Sequence, residues 1–251
     1  MIQEKKAVIS MSGGLDSTCL AMVLLSEGYE VKAYAFDYGQ KHMIELKKLK
    51  KNIKLLQKLQ LPINLQIINL RDAFSDSNSS LKGNGDIPQA GYDEETMKST
   101  VVENRNVIFS SIIYGKALSW ANKTQSNVKI TLGIHGGDHA LYPDCTEESQ
   151  QAAEHLFKIS NWGSEKVNYD APFVNCTKAE VLNIGVQSMK NMGLDKKTIN
   201  KILKNTHSCY DPDGDKACGK CGTCAERLDA FKANDMKDPI KYVTNNMNTP
   251  S

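Results

Sequence analysis

The sequence has no long hydrophobic run, and we expect no export leader. Hydrophobic residues make up 40% of its 251 positions, enough for one sizeable core. Yet no window approaches the ~18 consecutive apolar residues of a membrane-spanning helix. The chain begins almost directly with a strand-like segment, without the basic and apolar regions of a signal peptide. We therefore expect a cytoplasmic protein without a membrane partner.

The sequence also has little net charge. It contains 31 basic and 29 acidic residues, for a formal net charge of +2, whereas proteins that bind nucleic acid usually present a basic face. One segment, residues 44–59, is rich in lysine. Its apolar residues fall on one helical face and its lysines opposite, which is the pattern of a solvated amphipathic helix. A nucleic-acid partner is therefore not expected.

The glycine-rich turn after the first predicted strand lacks a lysine. This turn, SGGLDS at residues 12–17, follows a predicted strand at 7–11 and opens a predicted helix at 17–26. Glycines let the backbone approach a ligand closely, and a helix N-terminus attracts an anion. A Walker A loop would end in Gly-Lys-Ser/Thr. Without that lysine, the turn suits pyrophosphate held as a leaving group, with Asp16 available for magnesium. The alternative is a plain Ser or Asp helix cap after a glycine turn.

Strands and helices alternate along most of the chain. Further strands are predicted at 29–36, 65–70 and 128–132, and a further helix at 107–120. This alternation predicts an α/β fold with a doubly wound parallel sheet. Residues 71–100 are rich in Ser, Asn, Asp and Gly, which favours a long loop that is functional or partly disordered.

We expect two units, a nucleotide-binding and catalytic domain at 1–204 and a small C-terminal element at 205–251. The composition shifts to Cys, Gly, Asp and Lys from about residue 205. The C-terminal element is predicted to end in a helix and a tail that frays after Asp238.

Four of the seven cysteines form a C-x8-C-x2-C-x2-C array in this C-terminal element: Cys209, Cys218, Cys221 and Cys224. Without an export signal, such an array favours a metal over disulfides. Four converging thiolates suit a closed, structural zinc site. An iron–sulfur cluster is the alternative, although the spacing differs from the usual ferredoxin run, and His207 could replace one ligand. The remaining cysteines, Cys19, Cys145 and Cys176, are isolated, and Cys19 is expected in the core.

The stretch SGGLDST, residues 12–18, resembles the pyrophosphate loop of the PP-loop ATP pyrophosphatases. Three further stretches narrow the likeness: FDYGQKHMIE at 36–45, STVVENRNVIF at 99–109 and GIHGGDHALYPDCTEE at 133–148. In this order, and with the four C-terminal cysteines, they resemble the 7-cyano-7-deazaguanine synthase (QueC) family. The likeness runs from about Lys6 to Phe231.

The resemblance implies an activity, cofactors and site residues. Enzymes of this family adenylate 7-carboxy-7-deazaguanine with ATP, form the amide with ammonia and dehydrate it to the nitrile. The resemblance also implies that the protein uses ATP and magnesium, contains structural zinc and forms a homodimer. The residues expected at ATP are Ser12, Gly13, Gly14, Leu15, Asp16, Ser17, Thr18, Tyr38 and Gln40. Those expected at the substrate are Arg105, Asn106, Asp138, Tyr142 and Asp144, and those expected to be catalytic are Asp16, Ser17, Arg105 and Asp138. Without the resemblance, Arg105 would suit a surface ion pair and Asp144 a turn.

Departures from the family pattern in two stretches, at three positions, leave alternatives open. Glu103 stands where the family usually has proline. Thr146 stands where it usually has arginine, and Ser149 stands at the usual Phe position. An arginine supplies a fixed cation with a planar donor fork, so its loss would change a step that depends on this cation. One alternative is therefore a ligase that stops at the amide. The same alternative includes a ligase that instead joins the activated acid to an amine other than ammonia, such as that of a partner protein, in a phage or antiphage setting. Further alternatives are a tRNA-thiolating enzyme that uses Cys145 or Cys176, and a nucleotide-binding sensor.

Overall fold

The computed structural model describes residues 4–82, 98–139 and 142–243. The side chains of Asp138 and His139, and the segment 83–97 within the predicted long loop, lie outside the described part. Of that predicted loop, the described portion includes a 3-10 turn at Asp72–Phe74. Within the described ranges, no helix is both long and apolar enough to cross a membrane.

Five parallel strands form one sheet in the order β3-β2-β1-β4-β5. They are β1 (Lys5–Ser10), β2 (Tyr29–Asp37), β3 (Ile63–Asn69), β4 (Val128–Thr131) and β5 (Val167–Asp170). The first strand is central, since Val8 pairs with Lys32 on one side and with Ile130 on the other. The predicted α/β fold with a parallel sheet is confirmed. The sequence did not reveal β5, which has only four residues.

Eight α-helices accompany the strands in the described part of the chain. They are α1 (Leu15–Ser26), α2 (Ile44–Lys58), α3 (Arg105–Thr124), α4 (Gly136–His139), α5 (Glu147–Ser160), α6 (Lys178–Asn191), α7 (Lys196–Lys204) and α8 (Gly222–Ala233). Helices α1, α2, α6, α7 and α8 contribute to the apolar cluster on one face of the sheet. Helices α3 and α5 contribute to the cluster on the other face. The sheet is therefore covered on both sides, as in a doubly wound fold.

Alternate residues of β1 supply the two cores. Ala7 and Ile9 belong to one apolar cluster, whereas Val8 belongs to the other, and all three are fully buried. This is the period of two expected of a strand whose side chains point to opposite faces. Because both faces are covered, the middle of β1, residues 7–9, is a continuous apolar run rather than an alternating one.

The order of the strands creates a crevice between β1 and β4. The chain moves from β1 outward through β2 to β3, and then returns to place β4 on the other side of β1. In such sheets the connections diverge beyond the carboxyl ends of the two central strands, and ligands bind there. The glycine-rich turn follows β1, so the fold places it at this crevice.

A buried ion pair fixes the C-terminal segment. Arg227 of α8 is fully buried and donates to both carboxylate oxygens of Asp238, at 2.7 and 3.0 Å. Beyond Asp238 the backbone pairs with Ala217 through hydrogen bonds of 2.8 and 2.9 Å. The expected fraying directly after Asp238 is therefore wrong for residues 239–243. A buried guanidinium needs a buried counter-ion, and Asp238 supplies it.

Candidate functional site

A cavity of about 600 Å³ opens at the carboxyl ends of the central strands. Its wall includes Met11 directly after β1, Phe36 in β2 and Gly133 after β4. His207 and Tyr210, which flank the first cysteine of the array closely in sequence, also line the cavity. A volume of this size suits a small-molecule ligand, and its place is the crevice that the strand order creates.

The glycine-rich turn forms one side of the cavity. Gly13 has a φ of +97°, and a Cβ there would lie 2.7 Å from the backbone oxygen of Glu45, so only glycine fits without displacement. Gly14 is the N-cap of α1, and its N–H donates to Ser12 Oγ at 3.1 Å. Ser12 Oγ in turn lies 3.3 Å from Ser17 Oγ. The turn thus aims a helix N-terminus and two hydroxyl groups at the cavity.

The residues predicted to contact ATP in this turn do not all face the cavity. Those in its wall are Ser12, Gly14, Asp16 and Ser17. The Leu15 side chain is fully buried in the apolar core. Thr18 is also buried, and its hydroxyl donates to the Gly14 carbonyl at 2.7 Å. Gly13, Leu15 and Thr18 therefore shape and anchor the turn rather than line the cavity.

Asp16 lies in a cluster of charged side chains that the sequence did not reveal. Lys178 Nζ is 3.5 Å from Asp16 Oδ2 and 2.6 Å from Glu226 Oε2. His135 Nε2 lies 3.9 Å from the same Asp16 oxygen and 3.8 Å from Glu226 Oε1. Lys178 opens α6 directly after its capping residue Thr177. The capping box Thr177–Glu180 predicts the helix start, but nothing local predicts that the following lysine reaches Asp16.

The loop after β2 and the first turn of α2 bring Tyr38, Gln40, His42 and Glu45 together. Tyr38, His42 and Glu45 line the cavity. Gln40 is buried behind them and accepts from the Tyr38 backbone N–H at 3.0 Å while donating to Glu45 Oε1 at 3.1 Å. Burial raises the pKa of Glu45 to about 8, although the Gln40 hydrogen bond and the Arg105 charge oppose the rise. Burial lowers the pKa of His42 to about 4.

Arg105 and Asn106 occupy the first turn of α3 and line the cavity. Arg105 Nη1 donates to the Tyr38 hydroxyl at 3.3 Å, and the guanidinium carbon lies 5.6 Å from the centre of that ring. Asn106 Nδ2 lies 3.7 Å from Cys145 Sγ. The helix therefore presents Arg105 to the interior of the cavity, rather than to an ion pair on the outer surface.

The stretch after β4 contributes Tyr142 to the wall of the cavity. The Tyr142 hydroxyl lies 2.9 Å from Thr100 Oγ1. Asp144 lies in a 3-10 turn beside the cavity but not in its wall, and its Oδ1 accepts from Cys145 Sγ at 3.6 Å. Asp138 belongs to α4, and its side chain lies outside the described part of the chain.

The residues that depart from the family pattern do not line the cavity. Glu103 Oε2 accepts from Ser77 Oγ at 2.6 Å, which ties the segment after β3 to the start of α3. Thr146 is the N-cap of α5, where its Oγ1 accepts from the Ser149 N–H at 3.2 Å and donates to the Pro143 carbonyl at 3.0 Å. Both side chains have local structural partners.

The four arrayed cysteines form a buried cluster. Their ligand atoms all lie within 4.8 Å of one another, and two of the Sγ–Sγ distances are 3.9 and 4.0 Å. Zinc–sulfur bonds of ~2.3 Å in a tetrahedron separate the sulfurs by about 3.8 Å. Backbone N–H groups of Cys218 and Cys221 donate to cysteine sulfurs at 3.2 and 3.3 Å. The arrangement fits a zinc ion held by four thiolates, as the spacing predicted.

Known proteins resemble this chain over nearly its whole length. Residues 6–235 match the family described as "Queuosine biosynthesis protein QueC". A 7-cyano-7-deazaguanine synthase of Pseudoalteromonas atlantica is 40% identical over 95% of this chain and 99% of its own. Those of Pseudoalteromonas translucida and Caldicellulosiruptor saccharolyticus are each 37% identical, over 95% and 94% of this chain and 99% and 95% of their own. The chain therefore belongs to the QueC family, the family of the 7-cyano-7-deazaguanine synthases.

Proposed function

We propose that this protein is an ATP-dependent ligase that converts 7-carboxy-7-deazaguanine to 7-cyano-7-deazaguanine. The observation that carries the proposal is that a single cavity is lined by two groups of residues suited to two different ligands. The lysine-free glycine turn forms one side, and Arg105 with Asn106 forms another. The first part suits the phosphates of ATP, and the second suits a planar substrate that bears a carboxylate.

In this proposal the turn after β1 holds the triphosphate. The N-terminus of α1, Ser12 and Ser17 donate to phosphate oxygens, and Lys178 supplies the cation that the turn itself lacks. Asp16 Oδ1 is buried without a hydrogen-bond partner in the described part of the chain, which fits a carboxylate oxygen that holds a cation. Magnesium held there would neutralise charge on the departing pyrophosphate.

Arg105, Asn106 and Tyr142 form the proposed contacts to the deazaguanine. The guanidinium is suited to the substrate carboxylate because its planar fork matches two oxygens. Phe36 and Phe109, whose ring centres lie 3.9 Å apart, give the same cavity an aromatic surface. A flat heterocycle packs well against such a surface. We also propose that the carboxylates of Asp138 and Asp144 accept hydrogen bonds from the N–H groups of the heterocycle.

The chemistry needs little more than activation and positioning. A carboxylate resists attack by an amine until one oxygen becomes a good leaving group, and AMP makes it one. Holding ATP and the acid in one cavity supplies much of the rate because the reaction becomes effectively unimolecular. Donors fixed at the turn stabilise the charge that develops on pyrophosphate as it leaves.

The test is a single reaction analysed by mass spectrometry. Protein, magnesium-ATP, ammonium and 7-carboxy-7-deazaguanine are combined, and we expect the nitrile together with AMP and pyrophosphate. Asp16→Ala should abolish AMP formation without changing the fold, whereas Glu148→Gln, an exposed acid on α5, should change nothing. The absence of ATP consumption by the wild type would overturn the proposal.

The alternatives receive no specific support from the cavity. The departures at Glu103 and Thr146 lie outside its wall, so its described interior gives no reason to stop at the amide. Among the isolated cysteines, Cys145 lines the cavity but Cys176 does not. Burial raises the pKa of Cys176, which disfavours a reactive thiolate for sulfur transfer. Amide as the sole product, or mass added to a partner protein, would favour the amide-forming alternative.

The proposed zinc site is structural because four protein ligands close its coordination shell. The homodimer that the family resemblance implies also stays a proposal. Light scattering on the purified protein tests it, and a mass near 27.8 kDa, that of one chain, would contradict it.

A further inference from the structure

Glu45 connects the glycine-rich turn with the opposite wall of the cavity. Its backbone oxygen lies where a side chain at Gly13 would have to go, 2.7 Å from the position of a Cβ. Glu45 lines the cavity, although only 8% of the residue and 10% of its side chain are exposed. The Glu45 backbone is therefore packed against the turn, while its carboxyl group is within the electrostatic influence of Arg105.

The surroundings of Glu45 combine one hydrogen-bond donor with several titratable groups. Gln40 Nε2 donates to Oε1 at 3.1 Å, and His42 Nε2 lies 3.7 Å from the same oxygen. Tyr38 from the same loop and Arg105 from α3 share this part of the cavity. Burial raises the pKa of Tyr38 and lowers that of His42, so both are neutral near pH 7 and Arg105 is the neighbouring cation.

The amide-forming step of the proposed function requires a proton acceptor. Ammonium has no lone pair, so it must lose a proton before its nitrogen can attack the acyl adenylate. Within the described residues, the other acids of the cavity wall, Asp16 and Glu226, lie within 4 Å of Lys178 at the phosphate end. Glu45 is the acid of the described wall that lies away from this lysine.

We propose that the Glu45 carboxylate accepts a proton from ammonium inside the cavity and so generates the ammonia that attacks the adenylate. The nitrogen lone pair forms the new C–N bond, and the C–O bond to AMP breaks with its electron pair on the phosphate. A second proton leaves the nitrogen as AMP departs and passes to water. Glu45 then returns its own proton to water, so each amide formed releases two protons from one ammonium.

The proton affinity of Glu45 matches this role. A general base works best when its pKa lies near the pH of the reaction, and burial raises the pKa of Glu45 to about 8. His42, with a pKa lowered to about 4 by burial, would hold a proton too weakly. Gln40 keeps the Glu45 carboxyl group oriented without neutralising it, since an amide carries no charge.

The experiment separates adenylation from amide formation, because this inference rests on the proposed function. Exchange of labelled pyrophosphate into ATP, dependent on 7-carboxy-7-deazaguanine and without ammonium, reports adenylation alone. We expect Glu45→Gln to keep this exchange within about threefold of wild type. Its rate of amide formation at a fixed total ammonium concentration should fall by ~10²-fold, as expected for loss of a general base. Glu45→Asp should recover part of that loss, and Glu148→Gln should match wild type in both assays.

The dependence of the rate on pH gives a second measurement. Wild-type amide formation at fixed total ammonium should rise with pH and level off above about pH 8. Glu45→Gln should continue to rise, because it depends on ammonia already free in solution. Amide formation by Glu45→Gln within threefold of wild type would overturn the inference, as would parallel loss of exchange in Glu45→Gln and Glu45→Asp. Absence of exchange in the wild type would instead overturn the proposed function.

Discussion

The buried pair Arg227–Asp238 permits a quantitative prediction for Asp238→Asn. Only 1% of the Arg227 side chain and 3% of the Asp238 side chain are exposed. Asp238 accepts two hydrogen bonds from Arg227, one from the Tyr242 hydroxyl at 2.6 Å and one from the Ile240 N–H at 3.2 Å. Asparagine keeps the shape but removes the charge, so the guanidinium stays buried without a counter-ion. Breaking a buried pair in this way costs about 3–5 kcal/mol.

The corresponding change in melting temperature follows from the chain length. The entropy of unfolding is ~2.1 cal/mol/K per residue, which for 251 residues amounts to about 0.5 kcal/mol/K. Dividing about 3–5 kcal/mol by this value gives a decrease of about 6–9 °C. The measurement is calorimetric or fluorescence-detected melting of zinc-saturated protein.

An exposed ion pair provides the matched control. Lys158 and Glu154 on α5 lie 2.7 Å apart, the same distance as Arg227 and Asp238, but their side chains are 51% and 30% exposed. Such pairs contribute about 0–1 kcal/mol, so Glu154→Gln should lower the melting temperature by at most about 2 °C. The double variant R227M/D238L, which removes both charges, should recover much of the loss. If Asp238→Asn and Glu154→Gln shift the melting temperature equally, the reasoning from burial is wrong.

Three further predictions concern the glycine turn, the cation beside it and the metal cluster. Gly13→Ala should reduce pyrophosphate exchange by ~10²-fold or more, because its Cβ would force α2 away from the turn. Gly28 also has a positive φ, but a Cβ there would meet no atom within 4 Å. Gly28→Ala should therefore lower the free energy of unfolding by about 1–2 kcal/mol and leave pyrophosphate exchange intact. Lys178→Met should lower pyrophosphate exchange by ~10²–10³-fold, the loss expected when a group that stabilises developing charge is removed. Lys190→Met, at an exposed position on the same helix, should leave exchange unchanged. Equal exchange rates in the two variants would contradict the role proposed for Lys178. Cys221→Ser should reduce bound zinc from about one to near zero per chain and lower the melting temperature. Metal analysis and thermal melting measure the two effects. Cys176→Ser, at a half-buried cysteine outside the array, should retain the metal.

Some of this architecture is predictable because the signals are local. The apolar run of β1, the glycine turn after it and the lysine-rich face of α2 each lie within a few residues of sequence. The cysteine array is local as well, since three of its four members lie within seven positions. These features depend on backbone propensity, periodicity or ligand spacing, which the sequence displays directly.

Glu45 and Lys178 illustrate what sequence patterns do not reveal. Glu45 stands in the lysine-rich segment, where a glutamate would be expected on the solvated face, yet it is buried because the segment meets the turn at Gly13. Lys178 reaches Asp16 across 162 positions of sequence, and only the packing of α6 against α1 brings them together. Long-range packing determines both, so neither propensity nor periodicity predicts them.

The placement of Lys178 has a consequence for the chemistry that a lysine in the turn would not have. In the free protein its ammonium lies between Asp16 and Glu226, so two carboxylates hold the charge in place before any phosphate arrives. In the proposed function, a triphosphate bound at the turn would compete with these carboxylates for the cation and would attract it more strongly as charge develops on the departing pyrophosphate. An interaction that strengthens along the reaction lowers the barrier, whereas one that binds substrate and transition state equally does not. Under the proposed function, a cation on α6 would therefore respond to pyrophosphate departure, while the backbone of the turn would hold the phosphates in place.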